Sequence, residues 1–364
     1  MLTRASLAIL TLTSFMVLAA CSTSPHQTAY VTTPFNNGVS AFRLDTNTGS
    51  FKQVLGSPYP TGISPSSVWV HPSGKFAYVS NAGENTISLF KIGSTGALTE
   101  VTPRTPTDLQ PAALVIDPGG AFLFAVNSAS NTISAYSITA SSGALSPITG
   151  SPYPTSGFTP IRGAISPSGK FLYVANSNSA SISGFAVNSS GGLSPVPHSP
   201  ILVGNGPNWI AIDPAGKFLY VANLQDGTFS GFTIDASTGG LAAVNGSPFG
   251  VANSGTAIVP LSSLLVDASG KYIYVTSLAS SSSVYGFAID GTTGVPTALI
   301  AGSPFATGGA SGFIVTDTTG KLLFVGNQTS DTVSGFKITP SNGALTLIST
   351  TGTTSAPTSM FVIK

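Results

Sequence analysis

Three residues of this sequence bring together a charge, an amide and an indole: Arg162, Asn208 and Trp209. They belong to a pair of positions that recurs in each internal repeat, at the start of the strand predicted to lie nearest a central axis. Arg162 is equivalent to Trp209, and Asn208 is equivalent to Ile161. A guanidinium, an amide and a large aromatic ring can bind a sugar or a peptide loop through hydrogen bonds and stacking. We therefore predict that these three residues bind a ligand. Packing of Trp209 between neighbouring sheets explains that residue equally well.

Residues that could activate water are scarce around this predicted site. Hydrolysis of a lactone needs a general base and a cation or donor pair for the developing oxyanion. The equivalent positions of the seven repeats supply one cation and no carboxylate or imidazole: Ser66-Ser67, Ala112-Ala113, Ile161-Arg162, Asn208-Trp209, Ser262-Ser263, Gly312-Phe313 and Thr358-Ser359. A phosphorylated sugar would require several Lys or Arg residues. The sequence predicts no catalytic residue.

The other histidines and the recurring aspartates are better explained by structure than by catalysis or metal binding. His71 stands where other repeats have a turn aspartate, and His198 lies in a recurring Gly-Ser-Pro-Tyr/Phe loop. Metal sites need ligands clustered at fixed spacing. The recurring aspartates belong to different repeats and are predicted to cap their own turns: Asp117, Asp213, Asp267 and Asp317. We predict no metal site and no cofactor.

A repeat of about 49 residues, present seven times, positions these side chains. One strand of each repeat has apolar residues at alternate positions, as in Asn131-Thr-Ile-Ser-Ala-Tyr-Ser-Ile138, which is typical of a half-buried β-strand. A glycine turn follows this strand in every repeat, at Gly49, Gly96, Gly143, Gly191, Gly239, Gly294 and Gly343.

Three further strands complete the repeat. A strand such as Phe171-Leu-Tyr-Val174 comes before the alternating strand, and a turn such as Asp213-Pro-Ala-Gly216 comes before that. The turn follows a continuous apolar run, Trp209–Ile212 in this repeat, which suits a strand buried on both faces. A shorter fourth strand follows the late glycine. Seven four-stranded antiparallel units predict an all-β, seven-bladed β-propeller.

The two ends of the chain are predicted to complete one blade. Residues 357–364 resemble the innermost strand of the other repeats, and the repeat that begins at Ala29 lacks such a strand. The C-terminal strand would then close the ring beside the strand near Tyr30, so that no sheet edge is left open. The predicted propeller domain is residues 29–364.

The first residues are typical of an exported lipoprotein. Arg4, an apolar run and small residues form a signal peptide over residues 1–20. Leu18-Ala-Ala-Cys21 resembles a bacterial lipobox, which implies lipidation of Cys21, and Ser22 resembles an outer-membrane sorting signal. Residues 21–28 would form a tether. An ordinary signal peptide with an incidental cysteine is the alternative. We expect the protein to be exported and lipid-anchored in the cell envelope, at the outer membrane.

The repeats resemble a known family. Tyr173-Val-Ala-Asn176 is similar to YVTN-type propeller repeats, and Pro-x-Gly-Lys-Phe-Leu-Tyr-Val-Ala-Asn at 167–176 and 214–223 resembles the lactonase family of seven-bladed propellers. That family includes bacterial 6-phosphogluconolactonases. The resemblance implies a propeller fold, lactone hydrolysis, and His, Glu and Arg around the channel. The equivalent positions here supply Arg162 alone.

Composition and the predicted site lead to three functional hypotheses. Without residues 1–20 the chain has 12 basic and 12 acidic residues, a balance that disfavours binding to nucleic acid or an anionic surface. The leading hypothesis is an envelope scaffold that binds an unknown protein or glycan, has no chemistry of its own and contacts the membrane only through its lipid. The alternative is a hydrolase of an extracytoplasmic sugar lactone. The third hypothesis is a carbohydrate-binding module.

Overall fold

Seven antiparallel sheets make up the computed structural model, which describes residues 26–251, 258–278 and 282–364. We number these blades along the chain. Blade 1 comprises residues 26–60 and 359–363; blades 2 to 7 comprise 65–106, 111–154, 160–202, 207–250, 261–306 and 311–352. The predicted all-β, seven-bladed propeller is confirmed. The predicted signal peptide and Cys21 lie outside the described residues.

Two rings of strands lie closest to the axis. The innermost strands, in order from blade 1, are Ser359–Ile363, Pro65–Val70, Pro111–Ile116, Pro160–Ile165, Pro207–Ile212, Leu261–Val266 and Ser311–Thr316. The second strands are His26–Thr33, Phe76–Asn81, Phe122–Asn127, Phe171–Asn176, Phe218–Asn223, Tyr272–Ser277 and Leu322–Asn327. The second strands are buried over most of their length, which matches their apolar sequences.

The outer strands complete each blade. The third strands are Gly38–Asp45, Thr86–Ile92, Thr132–Ile138, Ser181–Val187, Thr228–Ile234, Ser283–Ile289 and Thr332–Ile338. The fourth strands are Phe51–Gln53, Leu98–Pro106, Leu145–Pro147, Leu193–Pro195, Leu241–Ala243, Pro296–Leu299 and Leu345–Gly352. Two short 3₁₀ helices, Pro34–Asn36 and Ser177–Ser179, follow second strands. No helix among the described residues has the length and apolar character needed to cross a membrane.

The fourth strand is divided in five blades, where the sequence predicted a single short strand. Two-residue strands that also pair with the third strand lie at Tyr59–Pro60, Tyr153–Pro154, Ile201–Leu202, Phe249–Gly250 and Phe305–Ala306. A recurring Ser-Pro segment, preceded by glycine except in blade 4, where His198 stands, separates the two pieces, and its serine replaces the missing backbone partner. In blade 5 the Ser247 hydroxyl accepts a hydrogen bond from the Gly231 amide at 2.9 Å.

The C-terminal strand closes the ring as predicted. Ser359–Ile363 pairs antiparallel with His26–Thr33, and Tyr30 lies opposite Phe361. The blade begins three residues before the predicted start at Ala29, because Gln27 is a buried contact of blade 7. Its amide donates to Asp317 Oδ2 at 3.0 Å and accepts from the Thr318 backbone amide at 2.9 Å. Residues 26–28, assigned to the tether from sequence, therefore belong to blade 1.

The hydrophobic core is divided into seven clusters, one at each contact between neighbouring blades. Buried tyrosines of second strands also tie a blade to the glycine turn of the next blade. Tyr220, for example, donates to the carbonyl oxygen of Gly294 at 2.7 Å. Phe124 and Phe324 take the tyrosine position in blades 3 and 7. In blade 7 the Ser349 hydroxyl makes the equivalent hydrogen bond to blade 1, donating to the carbonyl oxygen of Gly49 at 2.7 Å.

The recurring aspartates cap their own turns, as predicted. Asp213 Oδ1 accepts from the backbone amides of Lys217 at 2.6 Å and Phe218 at 2.7 Å, and Oδ2 accepts from Ala215. The recurring asparagines fix the following loop. Asn223 Nδ2 donates to the Thr228 hydroxyl at 3.0 Å and to the Ser230 hydroxyl at 2.9 Å.

Candidate ligand-binding channel

The innermost strands surround a channel that is wide at both ends. The loop face, defined here as the end with the second-to-third strand loops and the links between blades, has a cavity of about 550 Å³. The turn face, defined as the end with the first-to-second and third-to-fourth strand turns, has a cavity of about 820 Å³. We call them the loop-face cavity and the turn-face cavity.

The loop-face cavity is bordered by the positions that the repeat pattern predicts. Every blade contributes the first residue of its predicted pair: Thr358, Ser66, Ala112, Ile161, Asn208, Ser262 and Gly312. Gln328, which the predicted pairs do not include, also lines this cavity. Its signal is positional, because the residue after the second strand also lines the cavity in several other blades: Pro34, Ala82, Ser128 and Leu278.

Arg162 and Trp209 form a waist between the two cavities. The Arg162 guanidinium carbon lies 4.7 Å from the centroid of the Trp209 ring, and both residues line both cavities. Trp209 also packs against the core between blades 5 and 6 and the core between blades 7 and 1. The indole is thus both a packing group and the platform that holds the guanidinium by a cation–π contact.

Arg162 carries a charge without an acidic partner among the described residues. Its Nη1 donates to the carbonyl oxygens of Ala112 at 3.1 Å and Ile161 at 3.2 Å. The ion pairs of the described residues both belong to Arg104 in blade 2, with Glu84 and Glu100. Burial lowers the pKa of Arg162 to about 10, so the guanidinium is still protonated at neutral pH. It retains donors for a ligand acceptor.

Asn208 borders the same cavity. Its Nδ2 donates to the backbone carbonyl of Ser262 at 2.9 Å, which orients the amide across the contact between blades 5 and 6. Its Oδ1 is buried, and the described residues provide no donor for it. The recurring asparagines that fix loops have the same unpaired oxygen: Asn127, Asn176, Asn223 and Asn327. All three residues predicted to bind a ligand therefore border the loop-face cavity.

The other titratable residues near the channel are engaged in turns. Ser73 donates its backbone amide to His71 Nδ1 at 3.1 Å, so the proton lies on Nε2, which donates to Gly120 O at 2.9 Å. Asp117 accepts from the backbone amides of Gly119 and Phe122. Both residues border the turn-face cavity, and the turn role predicted for His71 is confirmed. His198 lies in an outer loop of blade 4.

Among the described residues that line the loop-face cavity, Arg162 alone is charged. The remaining lining groups are hydroxyls, amides and apolar side chains. The described lining contains no carboxylate or imidazole that could act as a general base. Chemically, the cavity can polarise a carbonyl oxygen through Arg162.

The sequence matches the family model described as lactonase, 7-bladed beta-propeller, over residues 20–158, 161–260 and 251–363. No curated protein matches it significantly. One similar solved structure is a candidate 6-phosphogluconolactonase of Bacteroides fragilis, with a TM-score of 0.80, 21% identity, and coverage of 94% of this chain and 99% of that one. Another is the periplasmic gluconolactonase PpgL of Pseudomonas aeruginosa, with a TM-score of 0.78, 17% identity, and coverage of 93% and 99%.

Hydrazine synthase of Kuenenia stuttgartiensis is also similar, with a TM-score of 0.59, 19% identity, and coverage of 81% of this chain and 88% of that one. The described function of that protein is unlike that of a lactonase. At such identities structural similarity shows the fold and not the activity, which must be argued from the site.

Proposed function

Because this chain belongs to the lactonase family of seven-bladed β-propellers, we propose that it hydrolyses a neutral sugar lactone in the loop-face cavity. The observation that carries this proposal is the protonated guanidinium of Arg162, which borders that cavity without an acidic partner among the described residues. The family match and the similar lactonases favour this activity over the scaffold hypothesis, which was the leading one from sequence alone.

The proposed substrate is neutral because the cavity offers little positive charge. A phosphorylated sugar would need several cations or bidentate donors around its phosphate. The described lining of the loop-face cavity supplies one cation, Arg162. The hydroxyls of an uncharged sugar ring instead suit the polar lining, which includes Asn208, Gln110 and Gln328.

In the proposed mechanism Arg162 stabilises the charge that develops on the carbonyl oxygen. Hydroxide from solvent adds to the carbonyl carbon, and the carbonyl oxygen becomes an alkoxide that the guanidinium binds more strongly than the neutral carbonyl. The ring C–O bond then breaks, the ring oxygen takes a proton from solvent, and the product is a sugar acid. Since the described lining has no general base, the attacking species is hydroxide from solvent.

The test is hydrolysis of glucono-δ-lactone by the purified protein, with spontaneous hydrolysis subtracted. Arg162→Met should lower kcat/KM about a hundredfold, the usual effect of removing an oxyanion donor. Arg162→Lys should retain part of the activity. Lys271→Met removes an exposed positive charge on the turn face and is the matched control. The proposal is wrong if the wild type adds nothing to the spontaneous rate, or if Arg162→Met is as active as Lys271→Met.

The pH dependence tests the proposed nucleophile separately. Below the pKa of Arg162, which burial lowers to about 10, the guanidinium stays charged, so the rate should follow hydroxide and rise about tenfold per pH unit between about pH 5.5 and 8. A bell-shaped profile, or a plateau within this interval, would reveal a titrating base and contradict this mechanism even if the activity is real.

A second candidate function, the binding scaffold, is favoured by an exposed apolar rim. Five large apolar side chains on the loop face are between 52% and 81% exposed: Phe35, Ile63, Leu109, Phe158 and Ile258. Exposed apolar residues gathered on one face often mark an interaction surface. Replacing Ile63, Leu109 and Phe158 together by Ser should abolish co-purification of an envelope partner and leave lactone hydrolysis unchanged. Equal partner recovery with this variant would exclude the rim as the binding surface.

We also propose that the chain is exported and anchored through a lipid on Cys21. The described chain starts at His26, whose strand begins at the turn face, so the anchor would hold that face towards the membrane and direct the loop face away from it. Mass spectrometry of the N-terminal peptide tests this. An unmodified Cys21, or the same membrane fractionation for Cys21→Ala, would contradict it.

A further inference from the structure

The turn-face cavity is larger than the loop-face cavity and has a different character. Its volume is about 820 Å³, and apolar side chains of the innermost strands form most of its wall. Trp69 and Phe361 lie side by side there, with ring centroids 5.1 Å apart. Ile116 and Ile165 extend the apolar wall on the blades beyond Trp69. An apolar cavity of this size is typical of sites for small organic ligands.

The floor of this apolar cavity is the guanidinium of Arg162. The described residues give that cation carbonyl partners and a tryptophan ring but no carboxylate. Besides Lys364, the titratable side chains on the wall are His71 and Asp117, and both are engaged in hydrogen bonds to turn backbone. Enclosing a charge without a counter-ion is costly, so the floor is complementary to an anion.

The turns of this face carry an aspartate in blades 3, 5, 6 and 7, and lysines at equivalent positions of five blades. Exposed lysines directly follow the turn glycines there: Lys75, Lys170, Lys217, Lys271 and Lys321. Among the described lysines, Lys364 is the one that lines the cavity. A cation on the wall favours the entry of an anion.

We propose that the turn-face cavity binds an apolar carboxylic acid. The carboxylate pairs with Arg162 at the waist, where the planar fork of the guanidinium suits both oxygens, and the tail lies along Trp69, Phe361 and Ile165. From Arg162 to Ile165 the innermost strand of blade 4 rises about 10 Å at about 3.3 Å per residue. A straight acid of about eight carbons spans that length. This site is distinct from the proposed lactonase cavity, although Arg162 borders both.

Tryptophan fluorescence gives a direct readout, because the two tryptophans of the chain, Trp69 and Trp209, both line the turn-face cavity. Titration of the wild type with octanoate should change the fluorescence saturably, with a submillimolar Kd. Octanamide, which has the same tail without the charge, should bind about tenfold more weakly or worse. The absence of a saturable change, or equal affinity for octanamide, overturns the proposal.

Variants of Arg162 measure the contribution of the ligand's carboxylate separately from that of its apolar tail. Arg162→Met should weaken octanoate binding about tenfold or more and leave octanamide binding unchanged, since only octanoate forms the ion pair. Arg162→Lys keeps the charge, and its affinity for octanoate should lie between those of the wild type and Arg162→Met. Lys271→Met controls for the loss of one turn-face charge and should stay within about twofold of the wild type. If Arg162→Met and Lys271→Met bind octanoate alike, the carboxylate does not contact Arg162 and the proposal fails.

A variant of the wall distinguishes this inference from the proposed lactonase activity. Trp69 borders the turn-face cavity and not the loop-face cavity. Trp69→Leu should weaken octanoate binding about tenfold by removing aromatic contact area, with Trp209 as the remaining fluorophore, and lactone hydrolysis should keep its wild-type rate. Unchanged octanoate affinity in Trp69→Leu overturns the site. A missing lactonase activity leaves this binding result intact.

Discussion

The repeated frame of the propeller and the wall of its channel follow opposite rules. In the frame, equivalent positions carry the same residue for the same task, as Asp117, Asp213, Asp267 and Asp317 do at their turns. Around the loop-face cavity, the seven equivalent positions carry Ser, Ala, Ile, Asn, Ser, Gly and Thr. A frame residue meets the same surroundings in every blade. Channel residues share one space, so their differences produce an asymmetric site.

Deletion of residues 357–364 should have the largest effect on the stability of the repeated frame. It removes the innermost strand of blade 1 and the buried side chains of Met360 and Val362. The lost apolar packing is worth several kcal/mol, and two blades lose their shared core, so the loss is comparable with the whole stability of an ordinary domain, about 5–15 kcal/mol. We expect no cooperative thermal transition in circular dichroism.

A synthetic peptide of residues 357–364 added to the truncated protein provides the control. It should restore a concentration-dependent transition, because binding to the folded state stabilises it. An unchanged melting temperature of the truncated protein without peptide would show that ring closure contributes little, and the frame would then not depend on its innermost strands.

Loss of one frame aspartate should have a smaller effect. Asp213→Ala removes an acceptor for three backbone amides, and leaving buried donors unpaired costs about 1–3 kcal/mol. We expect urea unfolding to show this loss with ligand binding unchanged. Asp213→Ser is the matched control, since Ser166 already holds this position in blade 4 and accepts from the Phe171 amide at 3.1 Å. Asp213→Ser should lose about half as much; equal losses would mean that the carboxylate has no special role.

Most of the frame could be predicted from sequence, because each of its rules is local or repeats. Strand periodicity, the turn aspartates and the missing strand before Ala29 gave the blade number and the ring closure, which the structure confirms. The early start of blade 1 was missed because the buried contact of Gln27 is with Asp317, 290 residues away. The division of the fourth strand was missed because the serine that replaces a backbone partner has no signal in apolar periodicity.

The candidate site could be predicted only in part. The repeat register correctly assigned one residue of each blade to the loop-face cavity. It could not show that Arg162 of blade 4 and Trp209 of blade 5 stack to form a waist, since that contact depends on how two blades turn towards each other. Nor could it show that the turn-face cavity is the larger and more apolar of the two.

The smallest expected effect is a gain in stability, and it separates channel residues from frame residues most clearly. Arg162→Met should raise the free energy of unfolding by about 1 kcal/mol, because replacing a buried charge that lacks a counter-ion by an apolar side chain is often stabilising. The gain is limited because the cation–π contact with Trp209 and two carbonyl hydrogen bonds are lost as well.

The pH dependence of this difference identifies its cause. Burial lowers the pKa of Arg162 to about 10, below its value in the unfolded chain, so the charged form is the one that the fold disfavours. The wild type should therefore regain stability relative to Arg162→Met as the pH rises through about 10, where the folded protein releases the proton first. Urea unfolding of both proteins at pH 7 and at higher pH measures this convergence. A loss of stability in Arg162→Met at pH 7 would instead place Arg162 in the frame, as a residue kept for packing rather than for a ligand.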